Sequence, residues 1–379
     1  MWLKVHRWLG LTVGLFFVLL GLTGSILVFD HAIDEWLNPD ILLTQGQGEK
    51  QPVQSIIDAA ESAYPGDRKA TSATVPRVEN GVWTVWFTGG SRGNLVFTAV
   101  HVDPYTAEVT GQRVWGEDLM TWIYRLHFRL LAGSVGGIIV GVLGLLILNS
   151  LLSGLYLWWP LLKSGIRAAI AIRSGPRFNY DLHKSVGAFS AVFLLVITFT
   201  GVYMEFPSVF RDVISKFAAT TEGPRRLKSA PSEDQDGITL DEAIEIASQR
   251  FPNAKLDHLH PPRREDGVYE VAFRQSDEVQ RSYGRTQVFL DRYSGEIVAV
   301  RTPETETAAD IFFAWQFPLH NGEAFGLFGR WVVFFLGLTP AILYVTGVVI
   351  WWRKRTSRKR HQQRHSVVET EVREPVAVG

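Results

Sequence analysis

Four histidines, His6, His127, His183 and His320, stand where polar chain gives way to apolar chain. An imidazole at such a boundary has three chemical uses. It can anchor a helix end among lipid headgroups, relay a proton, or offer a neutral ring nitrogen to a metal or haem iron. The spacing of these four bears on the choice. His6 is followed by Gly10 and, seventeen and eighteen residues on, by Thr23-Gly24; His183 is followed by Gly187 and, at the same offsets, by Thr200-Gly201. His127 precedes Gly144, Gly154 and Trp158-Trp159 by 17, 27, 31 and 32 residues, and His320 precedes Gly337, Gly347 and Trp351-Trp352 by the same four distances. The chain is written twice, and the repeat sorts the histidines into two pairs, His6/His183 and His127/His320.

Helices must hold these residues. Apolar stretches at about 9–29, 135–159, 186–204 and 331–352 reach or nearly reach the ~17–25 residues that cross a bilayer. The expected division is a first transmembrane helix over 1–30, a second over 121–160, a third over 183–205 and a fourth over 311–353. Polar segments at 31–120 and 206–310 lie between them, with a loop at 161–182 and a basic, disordered tail at 354–379. In the polar segments, NGVWTVWF (80–87) matches DGVYEVAF (266–273), alternating as half-buried strands do. HVDPYTAEVTG matches FLDRYSGEIVA, each a strand, a turn and a strand, and each set follows a short helical pattern ended by proline. The fold class expected is a four-helix membrane bundle with two small periplasmic α+β domains, formed by a parallel internal duplication.

Charge sets the orientation. Lys4 and Arg7 precede the first span, Lys163, Arg167, Arg173, Arg177 and Lys184 lie near the 161–182 loop, and RKRTSRKR follows the fourth span. The positive-inside bias makes these regions, and both termini, cytoplasmic, as in a bacterial inner-membrane protein. Lys4 and Arg7 could also open a signal peptide, but the apolar run is long for one, no A-x-A site follows, and the repeat matches this helix to an internal one. Both halves then start inside and are related by an axis along the membrane normal. His6 and His183 fall near the cytoplasmic face, His127 and His320 near the periplasmic face. The net charge of zero averages over compartments and points to no nucleic-acid partner.

Two imidazoles from different helices, facing each other inside a bundle, are what bis-histidine haem b requires. A relay would more often add mid-span carboxylates, and a bare zinc site wants three or four protein ligands at one depth. Two haems b per chain are therefore expected, one near each face. Gly10, Gly14, Gly21, Gly24, Gly144, Gly187, Gly201 and Gly337 would make room for them or serve close helix packing. Arg125, Arg129 and Arg330 near the outer pair, and Arg7 and Lys184 near the inner, could meet haem propionates or snorkel to the interface. His258 and His260 in DHLHPP read as solvated surface, and His31 and His101 have no repeat counterpart. The chain has no cysteine, which excludes c-type haem attachment, iron–sulfur ligation and disulfides. No dinucleotide fingerprint is present, so electrons would come from quinol or a membrane redox protein.

HRWLGLTVGLFFVLLGLTGSILVF, GLYLWWP, FPLHNGEAFGLFGR and the WWRKR ending resemble the PepSY-associated transmembrane-helix family, and VDPYTAEV and LDRYSGEIV resemble the last strands of PepSY domains. The resemblance covers nearly the whole chain. Within the family the chain is similar to inner-membrane siderophore reductases of the ferrioxamine-reductase type. That implies haem ligation by His6, His127, His183 and His320 and reduction of a ferric siderophore, Fe(III) to Fe(II), on the periplasmic side. Trp115, Trp122, Tyr124, Phe312, Phe313 and Trp315, just ahead of the outer histidines, form an aromatic belt or a platform for substrate or electrons. Two alternatives stay open: a membrane-anchored PepSY binding or regulatory module without redox activity, and a siderophore or metal permease.

Overall fold

The computed structural model describes residues 1–91, 94–221, 223, 227–230 and 237–373. Among them three helices are long and apolar enough to cross a membrane, Gly133–Ser164, Gly175–Glu205 and Glu323–Arg358. Trp2–Thr12 and Gly14–Leu27 make a fourth span if taken together, but they meet at 55°. The unbroken first helix expected over 1–30 is thus two helices. The ring of Tyr344 lies against the bend, and any Cβ on Gly14 would come within 2.8 Å of it. Trp2–Thr12 packs on the second span and Gly14–Leu27 on the fourth, while the third span packs on both the second and the fourth. Val13, Leu143, Leu151, Leu194 and Leu336 form the centre of this bundle. Backbones approach closely at Gly21 and Gly337, where the Ser25 hydroxyl donates to the Phe334 carbonyl at 2.8 Å, the small-residue contact typical of membrane helices.

The segments expected as single helices over 121–160 and 311–353 are also divided. Leu119–Arg129 ends at Leu130 and Leu131, with φ of 47° and 58°, before Gly133–Trp158 begins. Left-handed backbone is costly for leucine, so this break is held by its surroundings. Ala308–Asn321 ends at Gly322, with φ of 84°, ahead of the helix Gly326–Arg373. His127 and His320 therefore ride short helices that precede the spans. Asp118 caps the first, accepting from the Thr121 amide at 3.0 Å, and a Thr307/Asp310 capping box opens the second. The helix Gly326–Arg373 runs on into the tail expected to be disordered. That tail is rich in lysine, arginine and glutamine, which propagate helix well. Residues 374–379 lie outside the described residues.

Among the described residues the polar segments form eight strands: β1 Ser72–Thr74, β2 Trp83–Ser91, β3 Asn94–Val102, β4 Val109–Val114, β5 Lys255–His260, β6 Val268–Arg274, β7 Thr286–Asp291 and β8 Ile297–Arg301. The matched sequence stretches are β2 and β6, β3–β4 and β7–β8. The two units expected over 31–120 and 206–310 are not separate domains. They join edge to edge into one antiparallel sheet ordered β4-β3-β2-β1-β5-β6-β7-β8. Ala73 in β1 pairs with Val85 in β2 on one side and with Leu259 in β5 on the other. Each half alone would leave an open edge, and pairing them removes it. Val85, Phe87 and Val100 from the first half share a core with Leu259, Val271 and Leu290 from the second, under the helices Val53–Ala63 and Leu240–Arg250. Asp241 of the second helix accepts from the amides of Val53 and Gln54 at 2.7 and 2.9 Å, so one half caps the other's helix.

The sheet is tied to the bundle by ion pairs. Arg113 meets Asp34, on the helix Asp30–Leu37, through two bonds of 3.0 and 2.8 Å, and Arg77 pairs with Glu35 on the same helix. On the other half the Ser282 hydroxyl donates to Glu323 at 3.0 Å, at the head of the fourth span.

Candidate functional site

The bundle brings the four histidines together in two opposed pairs. His6 and His183 have ring centroids 6.2 Å apart, with planes at 80°. His127 and His320 are 6.1 Å apart, with planes at 62°. Each pair joins the two halves of the chain.

The surroundings of each ring come from its own half. His6 Nδ1 lies 3.0 Å from the Ser150 carbonyl and 3.1 Å from Ser153 Oγ. His183 Nδ1 lies 3.0 Å from the Leu343 carbonyl and from Thr346 Oγ1. His320 Nδ1 lies 2.9 Å from the Ile197 carbonyl and 3.1 Å from Thr200 Oγ1, and His127 Nδ1 is 2.9 Å from Thr23 Oγ1. Every one of these hydroxyls donates its hydrogen to a carbonyl one turn back in its own helix. Its oxygen must then accept from the imidazole. We accordingly assign the hydrogen to Nδ1 in all four rings, which leaves Nε2 with its lone pair, the form that binds metal.

A glycine follows each hydroxyl residue and seats the ring. A Cβ on Gly24 would stand 3.0 Å from His127 Cε1, on Gly154 3.0 Å from His6 Cε1, on Gly201 3.1 Å from His320 Cε1, and on Gly347 3.4 Å from His183 Cε1. The motif is therefore Thr23-Gly24, Ser153-Gly154, Thr200-Gly201 and Thr346-Gly347. The hydroxyls' role was missed from sequence, although the recurrence of serine or threonine before glycine was visible. Of the eight glycines expected to make room, only Gly24 and Gly201 face a histidine. Gly14, Gly21, Gly144 and Gly337 serve contacts between helices, Gly187 meets only Leu343 at 3.5 Å, and Gly10 faces open space.

The basic residues fare differently. Arg330 donates to the Val28 carbonyl, at 3.0 Å from Nε, and lies over the Phe29 ring at 4.9 Å. Arg125 reaches the Gly116 carbonyl at 3.3 Å, and Arg129 lies over Phe128 at 4.9 Å. Lys184 is occupied by the carbonyls of Ala168 and Ala171, both at 3.1 Å, and by Asp181 at 3.5 Å. Arg7, next to His6, keeps its Nε buried without a partner. Of the aromatic group, Trp115 and Tyr124 contact each other and Phe128, and Phe313 stacks on Tyr203 at 5.7 Å. Trp122 and Trp315 are partly exposed, as belt residues are.

Outside the membrane, His31 is exposed beside Asp30. His101 is buried in β3, where Thr84 and Arg113 flank its ring. Burial, and then the Arg113 charge, push it down to about 4, so it is a neutral structural residue. His258 was expected on solvated surface and is instead 3% exposed, with the tilted ring of Tyr283 over it at 4.1 Å.

No curated protein matches the chain. The family model of the PepSY-associated TM region matches residues 3–354, nearly the full length, and the protein belongs to that family.

Proposed function

We propose that the protein is an inner-membrane b-type dihaem oxidoreductase that carries electrons across the membrane and reduces a ferric siderophore on the periplasmic side. The observation that carries this reading is the pair of opposed imidazoles with their Nε2 atoms uncommitted. Two imidazoles sharing one metal ion through metal–nitrogen bonds of about 2.0–2.1 Å would have ring centroids no more than roughly 6.2–6.4 Å apart. The observed 6.2 and 6.1 Å lie within that reach, and a glycine stands against each ring.

His6 with His183 would hold one haem and His127 with His320 the other. Haem held by these residues would supply one-electron transfer. The chain's own residues do the rest. Thr23, Ser153, Thr200 and Thr346 fix each ring's tautomer and orientation, which raises the basicity of Nε2. The unpartnered Arg7 suits an inner propionate, and Arg125, Arg129 and Arg330 are near enough in sequence to the outer pair to serve there. The lysine and arginine bias assigns the inner pair to the cytoplasmic side, where quinol or a membrane redox protein would donate electrons, and the sheet to the periplasm. On the acceptor, Fe(III) gains one electron and becomes Fe(II), which the hard oxygen donors of a siderophore hold less tightly.

The test is the dithionite-minus-oxidised spectrum of the detergent-purified protein, with pyridine haemochrome quantitation, beside His6→Ala and His127→Ala. About two haems b per chain are expected, each variant disturbing a different one, and the reduced protein should reoxidise when a ferric siderophore is added. A colourless wild type, after expression with added haem, overturns the reading and leaves a membrane-anchored PepSY binding module. A pigmented protein that ferric siderophores fail to reoxidise overturns the substrate alone.

A further inference from the structure

A second cluster of metal-ligating side chains lies on the sheet. In β5, His258 and His260 are two residues apart and so project from the same face. In β6, Glu270 stands directly opposite His260. Leu259, between the histidines, is fully buried in the core beneath the two helices, which puts the three polar side chains on the sheet's other face. One ligand atom from each of the three lies within 4.8 Å of the other two.

The ring nitrogens are already sorted. His258 Nδ1 lies 3.0 Å from Asp257 Oδ2, and His260 Nδ1 lies 3.0 Å from the Thr71 carbonyl. Both partners only accept, so each Nδ1 carries the hydrogen and each Nε2 keeps its lone pair. A carboxylate or carbonyl behind a histidine in this way is the usual support of a metal ligand. Asp257 is itself fixed by the Gly284 amide at 2.8 Å, and Glu270 accepts from Gln287 at 2.6 Å. His258 is 3% exposed, yet its Nε2 is buried with no hydrogen-bond partner. A buried polar atom left in that state is destabilising, and a cation at the cluster would relieve it.

We propose that His258, His260 and Glu270 bind a first-row divalent transition-metal ion. Two imidazoles and one carboxylate suit zinc or ferrous iron, and three protein ligands leave a position open for water or an incoming donor. Calcium and magnesium, which take all-oxygen sets, do not fit. The site touches the bundle through one loop. Tyr283 covers His258, and its neighbour Ser282 bonds Glu323, three residues beyond His320. The inference does not depend on haem in the membrane.

The experiment uses the full chain in detergent, stripped with a chelator and titrated with Zn2+, with bound metal counted after dialysis. The membrane histidines are a second possible sink, so the reading is the difference between wild type and His260→Ala, and between wild type and Glu270→Gln. Both residues are only partly buried, and melting curves confirm that the variants fold. His258→Ala is the confirming variant where it folds. One equivalent of Zn2+ present in wild type and lost in both variants is expected, and Asp257→Asn should weaken it about 10–100-fold. His6→Ala should leave that equivalent in place. A wild type that binds no Zn2+ at micromolar concentration, or variants that bind it as wild type does, would overturn the site.

Discussion

Alanine at Gly24 should disturb His127, whereas alanine at Gly347 should leave His183 where it is. The added Cβ would stand 3.0 Å from the His127 ring in the first case and 3.4 Å from the His183 ring in the second. The shorter contact forces the ring back by a few tenths of an ångström, and the longer one is ordinary van der Waals distance. His127 has little freedom to retreat, because Thr23 on the preceding residue of the same helix holds its Nδ1 at 2.9 Å. Metal–ligand bonds tolerate only about ±0.2 Å, so on the proposed ligation the shift would be large enough to weaken His127 as a ligand. In stability, overpacking costs about 1–3 kcal/mol, set against the roughly 0.8–1 kcal/mol that alanine gains over glycine inside a helix. Gly24→Ala should therefore come out destabilised by up to about 2 kcal/mol and Gly347→Ala neutral to slightly stabilised. Gly154→Ala and Gly201→Ala, with contacts of 3.0 and 3.1 Å, should behave like Gly24→Ala on the inner and outer pair respectively. The assay is the thermal midpoint of each purified variant together with its haem-to-chain ratio. If Gly24→Ala and Gly347→Ala are indistinguishable in both, glycine does not seat these rings.

Two further outcomes follow from the sheet. His101 titrates at about 4 in the folded protein against 6.5 when unfolded, so the unfolded chain binds the extra proton between those values and stability falls as pH drops from 6.5 towards 4. The full loss is about 3 kcal/mol; a His101→Gln variant should show a shallower acid decline in denaturant melts, and an identical decline would show that His101 is not the group responsible. Ala73→Pro should destabilise the sheet by at least about 1–3 kcal/mol, the cost of a buried backbone group left without its partner, since β1 is hydrogen-bonded on both sides and central strands do not tolerate proline. Limited proteolysis should then cut between the halves, and resistance equal to wild type would mean that the β1–β5 junction contributes little.

The spans, the strands and the duplication were legible in the sequence because each rests on a local period. Twenty apolar residues, an alternation of two, or a histidine seventeen residues ahead of Thr-Gly needs no knowledge of the rest of the chain. The pairing of His6 with His183 and of His127 with His320 was legible for a related reason: a repeat implies an axis, and an axis pairs equivalent residues. Tertiary structure decided what depends on contacts between distant segments. The Tyr344 ring against Gly14 sits at the bend in the first helix, and the left-handed turn at Leu130 and Leu131 detaches His127 from its span. The edge strands β1 and β5 merged two expected domains into one sheet. Ser153 and Thr346 became partners of histidines 147 and 163 residues away. His258 reads as surface in DHLHPP, and the packing of Tyr283, from the loop between β6 and β7, covers it where its Nε2 has no partner. Periodicity fixes which residues share a face, but which faces meet is decided by burial and backbone pairing summed over the whole chain.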